Sequence, residues 1–343
     1  MQKIDFILYL ISTFLGSAGA WVIAKWGMKL SLSDKPNSRS SHNTITVKGG
    51  GIGILAAFVF VSLFISIPKS FWIPAALLSV FSLLGDRFEI LPNIRLPVQF
   101  AAAFSFLLTL HISVLSTKSF SLLSFSPLAL YSLSISALCL LFLSVFIVGT
   151  TNFYNFMDGI NGIAGITGIV GFGLIAFFAF ITGTDSYFIT LSVCISFSCL
   201  GFLPFNFPKA RVFMGDVGSI LLGFVFSGMV ILLSRNLRDF ICLASFLFPF
   251  YADELITMVV RLKNGAKLSQ PHRRHLYQLL ANEYQVPHWK VSVGYGVAQL
   301  FVGLSIIFIE NSGGLAIVSV LVFYFCCFIG VSYVFRHKLS RRI

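Results

Sequence analysis

The sequence predicts an all-α, single-domain protein: a polytopic membrane helix bundle with about eleven transmembrane helices. Three observations carry that prediction. Of 343 residues, 57% are hydrophobic and 10% charged, with a mean hydropathy of +0.91; soluble domains carry about 25% charged residues. Apolar runs near the ~20 residues needed to cross a bilayer recur along the whole chain. They lack period-two alternation, which selects helices over barrel strands. The basic residues are also segregated, as a membrane protein requires.

The apolar runs lie at 5–27, 49–67, 71–84, 96–115, 128–149, 160–182, 187–204, 217–234, 240–260, 290–309 and 315–335, the third being short. Eleven spans place alternate loops on opposite sides, and the 24 Lys and Arg then divide 19 to 5. The positive-inside rule puts the richer set in the cytoplasm, the N-terminus outside and the C-terminus inside. Lys3 and the apolar stretch to Ala18-Gly19-Ala20 could suggest a cleaved leader, but the run continues through Ile23, so an uncleaved first span is expected. The net charge of +12 is spread through short loops, which excludes a nucleic-acid-binding domain. All six cysteines fall in apolar runs without a CxxC and read as small core residues.

Polar sequence concentrates in five loops on the cytoplasmic side, 28–48, 85–95, 150–160, 205–216 and 261–289, which together would form one active site. The central stretch is NFYNFMDGING, Asn152 to Gly162. Asn152, Asn155, Asp158 and Asn161 are spaced by three and would share one helix face. A carboxylate inside a bilayer costs roughly 2.5–3.5 kcal/mol, so such a face asks for a polar ligand. The plain alternative is a cap and turn. Asp216, in FMGDVGS, reads either as a helix N-cap or as a metal ligand. Magnesium takes one or two carboxylates and completes its shell with phosphates and water, and Asp216 with Asn155 or Asp158 would supply that half-shell. Lys48 precedes Gly49–Gly51 and opens a helix, a plausible phosphate cradle. Asp86, Arg87 and Glu89 form a charged turn. In PHRRHLYQ, His272 and His275 lack partners at zinc-ligand spacing, whereas Arg273 and Arg274 suit a pyrophosphate.

These segments, DKPNSRSSH with KGGG, GDRFEI, NFYNFMDGINGIAG, FNFPKARVFMGDVGS and HRRHLYQ, in this order and over nearly the whole chain, resemble the polyprenyl-phosphate N-acetylhexosaminyl-1-phosphate transferases, glycosyltransferase family 4. That family includes the lipid I-forming translocase, and the HRRHLYQ form is similar to the subgroup initiating O-antigen or other surface polysaccharides. The resemblance implies a Mg2+-dependent enzyme, with Mn2+ as an alternative ion, in the bacterial inner membrane. Its partners would be undecaprenyl phosphate, a UDP-N-acetylhexosamine and membrane lipid; a homodimer stays open. It implies catalytic roles for Asp86, Asp158 and Asp216, metal ligation by Asp216 and Asn155, and substrate contacts from Lys48, Asn152, Asn161, Arg273, Arg274 and His275. One position departs: the family's Asp pair in the second loop reads Gly85-Asp86 here. A phosphate monoester has a second pKa near 6, so the lipid phosphate can attack as a dianion without that base. The rival class is a transporter or flippase for a phosphorylated lipid or sugar, which would place polar groups at the bilayer midplane.

Overall fold

Ten helices in the computed structural model are long and apolar enough to cross a bilayer, among the residues it describes: 3–36, 41, 44–65, 67–88, 90–117, 127–267 and 272–340. Positions 37–40, 42–43, 89 and 268–271, in the first, second and fifth polar loops, lie outside that set. The helices are α1 (Lys3–Trp26), α3 (Lys69–Phe88), α4 (Pro92–Thr117), α5 (Pro127–Phe156), α6 (Ile163–Ile181), α7 (Ser186–Asn206) and α8 (Asp216–Leu233), the pair α9 (Leu237–Ala244) and α10 (Phe248–Lys263) counted as one, then α12 (His288–Ile309) and α13 (Gly314–Ser340). The eleventh expected span is α2 (Ile52–Phe64), only 13 residues or about 20 Å long. The short span is therefore the second, not the third.

The differences from the expected boundaries have local causes. Helix α3 continues through Gly85-Asp86-Arg87 because the Asp86 carboxylate is paired with Lys48 instead of standing in an apolar medium. Helix α5 continues past residue 149 because its polar side chains find partners on the helix itself and on α4: Thr151 Oγ1 donates to Ile147 O, and Asn152 Nδ2 to Val148 O and to Gln99 Oε1 of α4. The expected 240–260 span breaks at a 3₁₀ turn, Ser245–Leu247, ahead of Pro249 in the first turn of α10. Of the cysteines, Cys194, Cys199 and Cys242 are buried as expected, while Cys139, Cys326 and Cys327 face outward.

Helix α8 is the axis of the bundle, with 15 of its 18 residues buried; α13 is peripheral. Between lipid-immersed helices apolar transfer supplies little drive, so close approach through small residues matters more. Gly51 and Gly218 show this: a Cβ on Gly51 would collide with the Gly218 backbone, so the N-termini of α2 and α8 meet backbone to backbone.

A feature the all-helical expectation did not contain is a three-stranded sheet of short strands, β1 (Ser33–Asp34), β2 (Thr46–Lys48) and β3 (Val212–Phe213). β1 pairs antiparallel with β2, and β2 parallel with β3, with Lys48 opposite Phe213. The pairing continues past the strands as Gly50 N–H to Phe213 O and Gly51 N–H to Met214 O, both 2.9 Å. It sets the first loop beside the fourth, with paired residues 165 positions apart in sequence.

Candidate active site

Sheet and helix ends converge on Asp216. Gly215, at φ 74°, turns the chain from β3 into α8 in a backbone region that favours glycine. A Cβ there would also press on Gly49 N and Asp86 Oδ2. Asp216 is the first residue of α8, not its N-cap. Its N–H, one of the donors a helix start leaves unpaired, is taken by Asp86 Oδ2 at 2.9 Å. The other oxygen, Asp86 Oδ1, lies 3.3 Å from Lys48 Nζ. The carboxylate of Asp216 is shared: Oδ1 accepts from Asn155 Nδ2 at 2.9 Å and Oδ2 from Arg95 Nη1. Asn155 Nδ2 also reaches Ser219 Oγ at 2.8 Å. Arg95 is fixed by Nε to Ile90 O and Nη2 to Gly85 O, and its guanidinium lies over Gly85, where an added Cβ would sit 3.3 Å from Nη2.

Beside this cluster is a cavity of about 260 Å³, lined by Asp34, Ser41, Lys48, Asn155, Asp158, Gly159, Ile160, Asn206, Phe213, Gly215, Asp216 and Gln278. Burial pushes the Asp158 carboxyl well above the ordinary carboxylate range, and the charges of Asp216 and Asp86 push it the same way.

The structure brings together Lys48, Asp86, Asn155, Asp158 and Asp216. The other candidates sit elsewhere. The expected shared helix face holds only for Asn152 and Asn155, because α5 ends at Phe156 and leaves Asp158 and Asn161 in the following turn. Asn152 pairs with Gln99, and Asn161 Nδ2 donates to Pro208 O at 3.2 Å. His275 is buried, its Nε2 3.4 Å from Glu254 Oε2 and its Nδ1 4.0 Å from Asp253 Oδ1. Burial lowers its pKa, outweighing the nearby Asp253. Arg273 pairs with Glu283 at 3.0 Å, and Arg274 is exposed. From this fifth loop it is Gln278 that reaches the cavity wall. The sequence reading gave no role to Gln278, Asn206 or Arg95. Arg95 carried a signal, a cation ten residues after the position where the usual Asp is missing.

Among the described residues, no three His, Cys, Asp or Glu side chains converge as a metal site. The donor set still fits magnesium, which often takes one or two protein carboxylates plus substrate phosphates. Asp216 and Asp158 line one cavity beside a third acid, Asp86, and a cation would relieve their repulsion.

A membrane helix bundle with a polar, acid-lined cavity at one end is the class that the fold and site define, and comparison with known proteins shows what it is similar to. The glycosyl transferase family 4 profile matches residues 69–234, just under half of the chain. It is 26% identical to the undecaprenyl-phosphate alpha-N-acetylglucosaminyl 1-phosphate transferase of Thermotoga maritima, over 92% of this chain and 95% of that one. It is 24% identical to a probable undecaprenyl-phosphate N-acetylglucosaminyl 1-phosphate transferase of Bacillus subtilis, over 76% of this chain and 72% of the relative. A phospho-N-acetylmuramoyl-pentapeptide-transferase of Staphylococcus saprophyticus is 30% identical over 55% of this chain and 61% of its own length.

Proposed function

We propose that this protein transfers N-acetylhexosamine 1-phosphate from a UDP-sugar to undecaprenyl phosphate and releases UMP, at the cytoplasmic face of a bacterial inner membrane. The observation that carries the reading is the cavity edged by Lys48, Asp216 and Asp158 at one end of a membrane bundle, in a chain whose relatives act on undecaprenyl phosphate. The 19-to-5 division of basic residues supports the cytoplasmic orientation. The placement of the polar groups at a helix end, not at mid-span, weighs against a transporter.

In this reading an oxygen of the lipid phosphate attacks the β-phosphorus of the UDP-sugar. The bond from that phosphorus to the bridging oxygen breaks, and UMP leaves with the bridging oxygen. Asp216, with Asn155 orienting its Oδ1, and Asp158 would hold a magnesium ion. Bound there, the ion would neutralise charge on the phosphates. Lys48, fixed by Asp86, supplies a cation to the phosphoryl oxygens. Asp86 is buried and does not line the cavity, so in this reading it positions Lys48 and the first turn of α8 and does not serve as a base. Catalysis then rests on alignment and charge stabilisation, as in other phosphoryl transfers. The product would begin an O-antigen or another surface glycan.

The test is UMP release by the full chain in detergent with undecaprenyl phosphate, a panel of UDP-N-acetylhexosamines and added Mg2+ or chelator. Release that needs both lipid and divalent ion supports the reading and names the sugar. Binding of UDP-sugar without release from any donor would count against it.

A further inference from the structure

Asp158 stands on a turn with no regular structure of its own, between the end of α5 and Gly162. What braces that turn comes from the fifth loop. Tyr277, in the short helix α11 (Leu276–Gln278), is fully buried, and its hydroxyl donates to Phe156 O at 2.9 Å. A Cβ on Gly159 would collide with the same hydroxyl, so ring and turn are fitted to each other.

Tyr277 is itself held by a carboxylate that the sequence reading passed over. Asp253, on α10, is fully buried. Its Oδ1 accepts from Leu276 N–H at 2.7 Å and from Thr257 Oγ1 at 3.2 Å. Its Oδ2 accepts from Tyr277 N–H at 3.2 Å and from the Tyr295 hydroxyl, on α12, at 2.7 Å. A carboxylate has about four acceptor positions, and all four are used. Asp253 can therefore offer nothing to a substrate. It does bind together α10, α11 and α12, and the next residue after Tyr277, Gln278, lines the cavity.

We propose that Asp253 is a positioning residue for the transfer reaction, acting through Tyr277 to fix the Asp158–Gly159 turn and the Gln278 wall of the cavity. This rests on the transferase reading above. A purely structural role would instead lower the amount of folded protein and leave each folded molecule fully active.

The experiment uses the full chain in detergent as wild type, Tyr277→Phe, Asp253→Asn and Tyr295→Phe. Each is assayed for UMP release against UDP-sugar concentration, for thermal melting, and for backbone hydrogen exchange in segments 157–162 and 272–284. Tyr277→Phe removes one hydroxyl and keeps the ring. It is expected to lower kcat about tenfold, the scale set by small misplacements of reacting groups, with a smaller change in KM and faster exchange at 157–162. Asp253→Asn is expected to go further in the same direction and to speed exchange in both segments. Tyr295→Phe keeps the tie to the turn and is expected to have the smallest effect on kcat. Wild-type kcat in Tyr277→Phe with unchanged exchange at 157–162 would overturn the proposal. So would activity lost only in proportion to folded protein. Should Asp253→Asn fail to fold, Tyr277→Phe decides. Should wild type release no UMP, the transferase reading fails while the exchange data still decide whether Tyr277 braces the turn.

Discussion

Asp216, the first residue of α8, and Asp253, inside α10, are both acids that tie a helix to other segments, and they are partnered in opposite ways. The Asp216 carboxylate holds one hydrogen bond on each oxygen, from Asn155 and Arg95, and its side chain is 23% exposed at the edge of the cavity. Asp253 holds two on each oxygen and is 1% exposed. About half of the acceptor capacity of Asp216 is unspent, and none of that of Asp253. Residual capacity facing a cavity, not the number of hydrogen bonds, separates an acid that can take a cation from one that holds the scaffold. Arg95 beside Asp216 fits this account, since an anion at a helix start is already favoured by the helix dipole and the guanidinium balances it without sealing it.

The strongest way to break the contrast is Asp216→Asn. It keeps the shape, removes the charge and turns an amide toward Arg95 or Asn155. UMP release is expected to fall about 10²–10³-fold, the scale for removing one electrostatic stabiliser, with a melting temperature near wild type. An active Asp216→Asn protein would remove Asp216 from the metal role. Lys48→Gln tests the next position inward. It withdraws a cation from the cavity and leaves Asp86, whose side chain is 3% exposed, without its ionic partner. Activity should fall about tenfold or more, and stability should drop by about 1–3 kcal/mol, read from rates per folded molecule and from melting.

The helical membrane architecture was legible because hydropathy and the distribution of Lys and Arg act over whole segments. The members of the cluster at the candidate site were legible as well: Asp216, Asn155, Asp158, Lys48 and Asp86 stand in polar motifs where apolar sequence should be. What could not be read was the pairing that joins them. The parallel contact of Val47-Lys48 with Val212-Phe213 is three residues long or less on each side and has no local signature. Polar character also did not show which side chains would cluster at the cavity and which would lie apart from it. His275 and Asn152 look as reactive in sequence as Asp158, yet each is turned to a buried or helical partner. Asp253 was hidden for the converse reason: an acid beside Glu254 in an otherwise apolar stretch reveals nothing of its four donors, which come from α10, α11 and α12.

A pH titration sharpens the contrast on the scaffold side. His272 is pushed down to about 4, by burial first and then by His275, Arg261, Arg274 and Arg336. Its unfolded value is about 6.5, so between those values the unfolded chain binds more protons than the folded one. Stability should therefore fall as pH drops through that window. Melting at pH 7 and pH 5 should show the loss, and His272→Gln should reduce the difference between the two.

The smallest expected effect belongs to Arg273, and it separates two uses of the fifth loop. The resemblance implies that Arg273 meets substrate phosphate, whereas the structure pairs it with Glu283, both side chains about one-third exposed. An ion pair of that kind contributes about 0–1 kcal/mol. If the pair is its whole role, Arg273→Ala and Glu283→Ala should behave alike, each within twofold of wild type in kcat/KM. If the loop instead delivers Arg273 to the donor, Arg273→Ala should raise KM for the UDP-sugar by tenfold or more while Glu283→Ala, which removes the competing carboxylate, leaves KM unchanged or lowers it. The two variants then diverge in sign, and that divergence would move Arg273 from the scaffold group, with Asp253, to the cavity group, with Asp216.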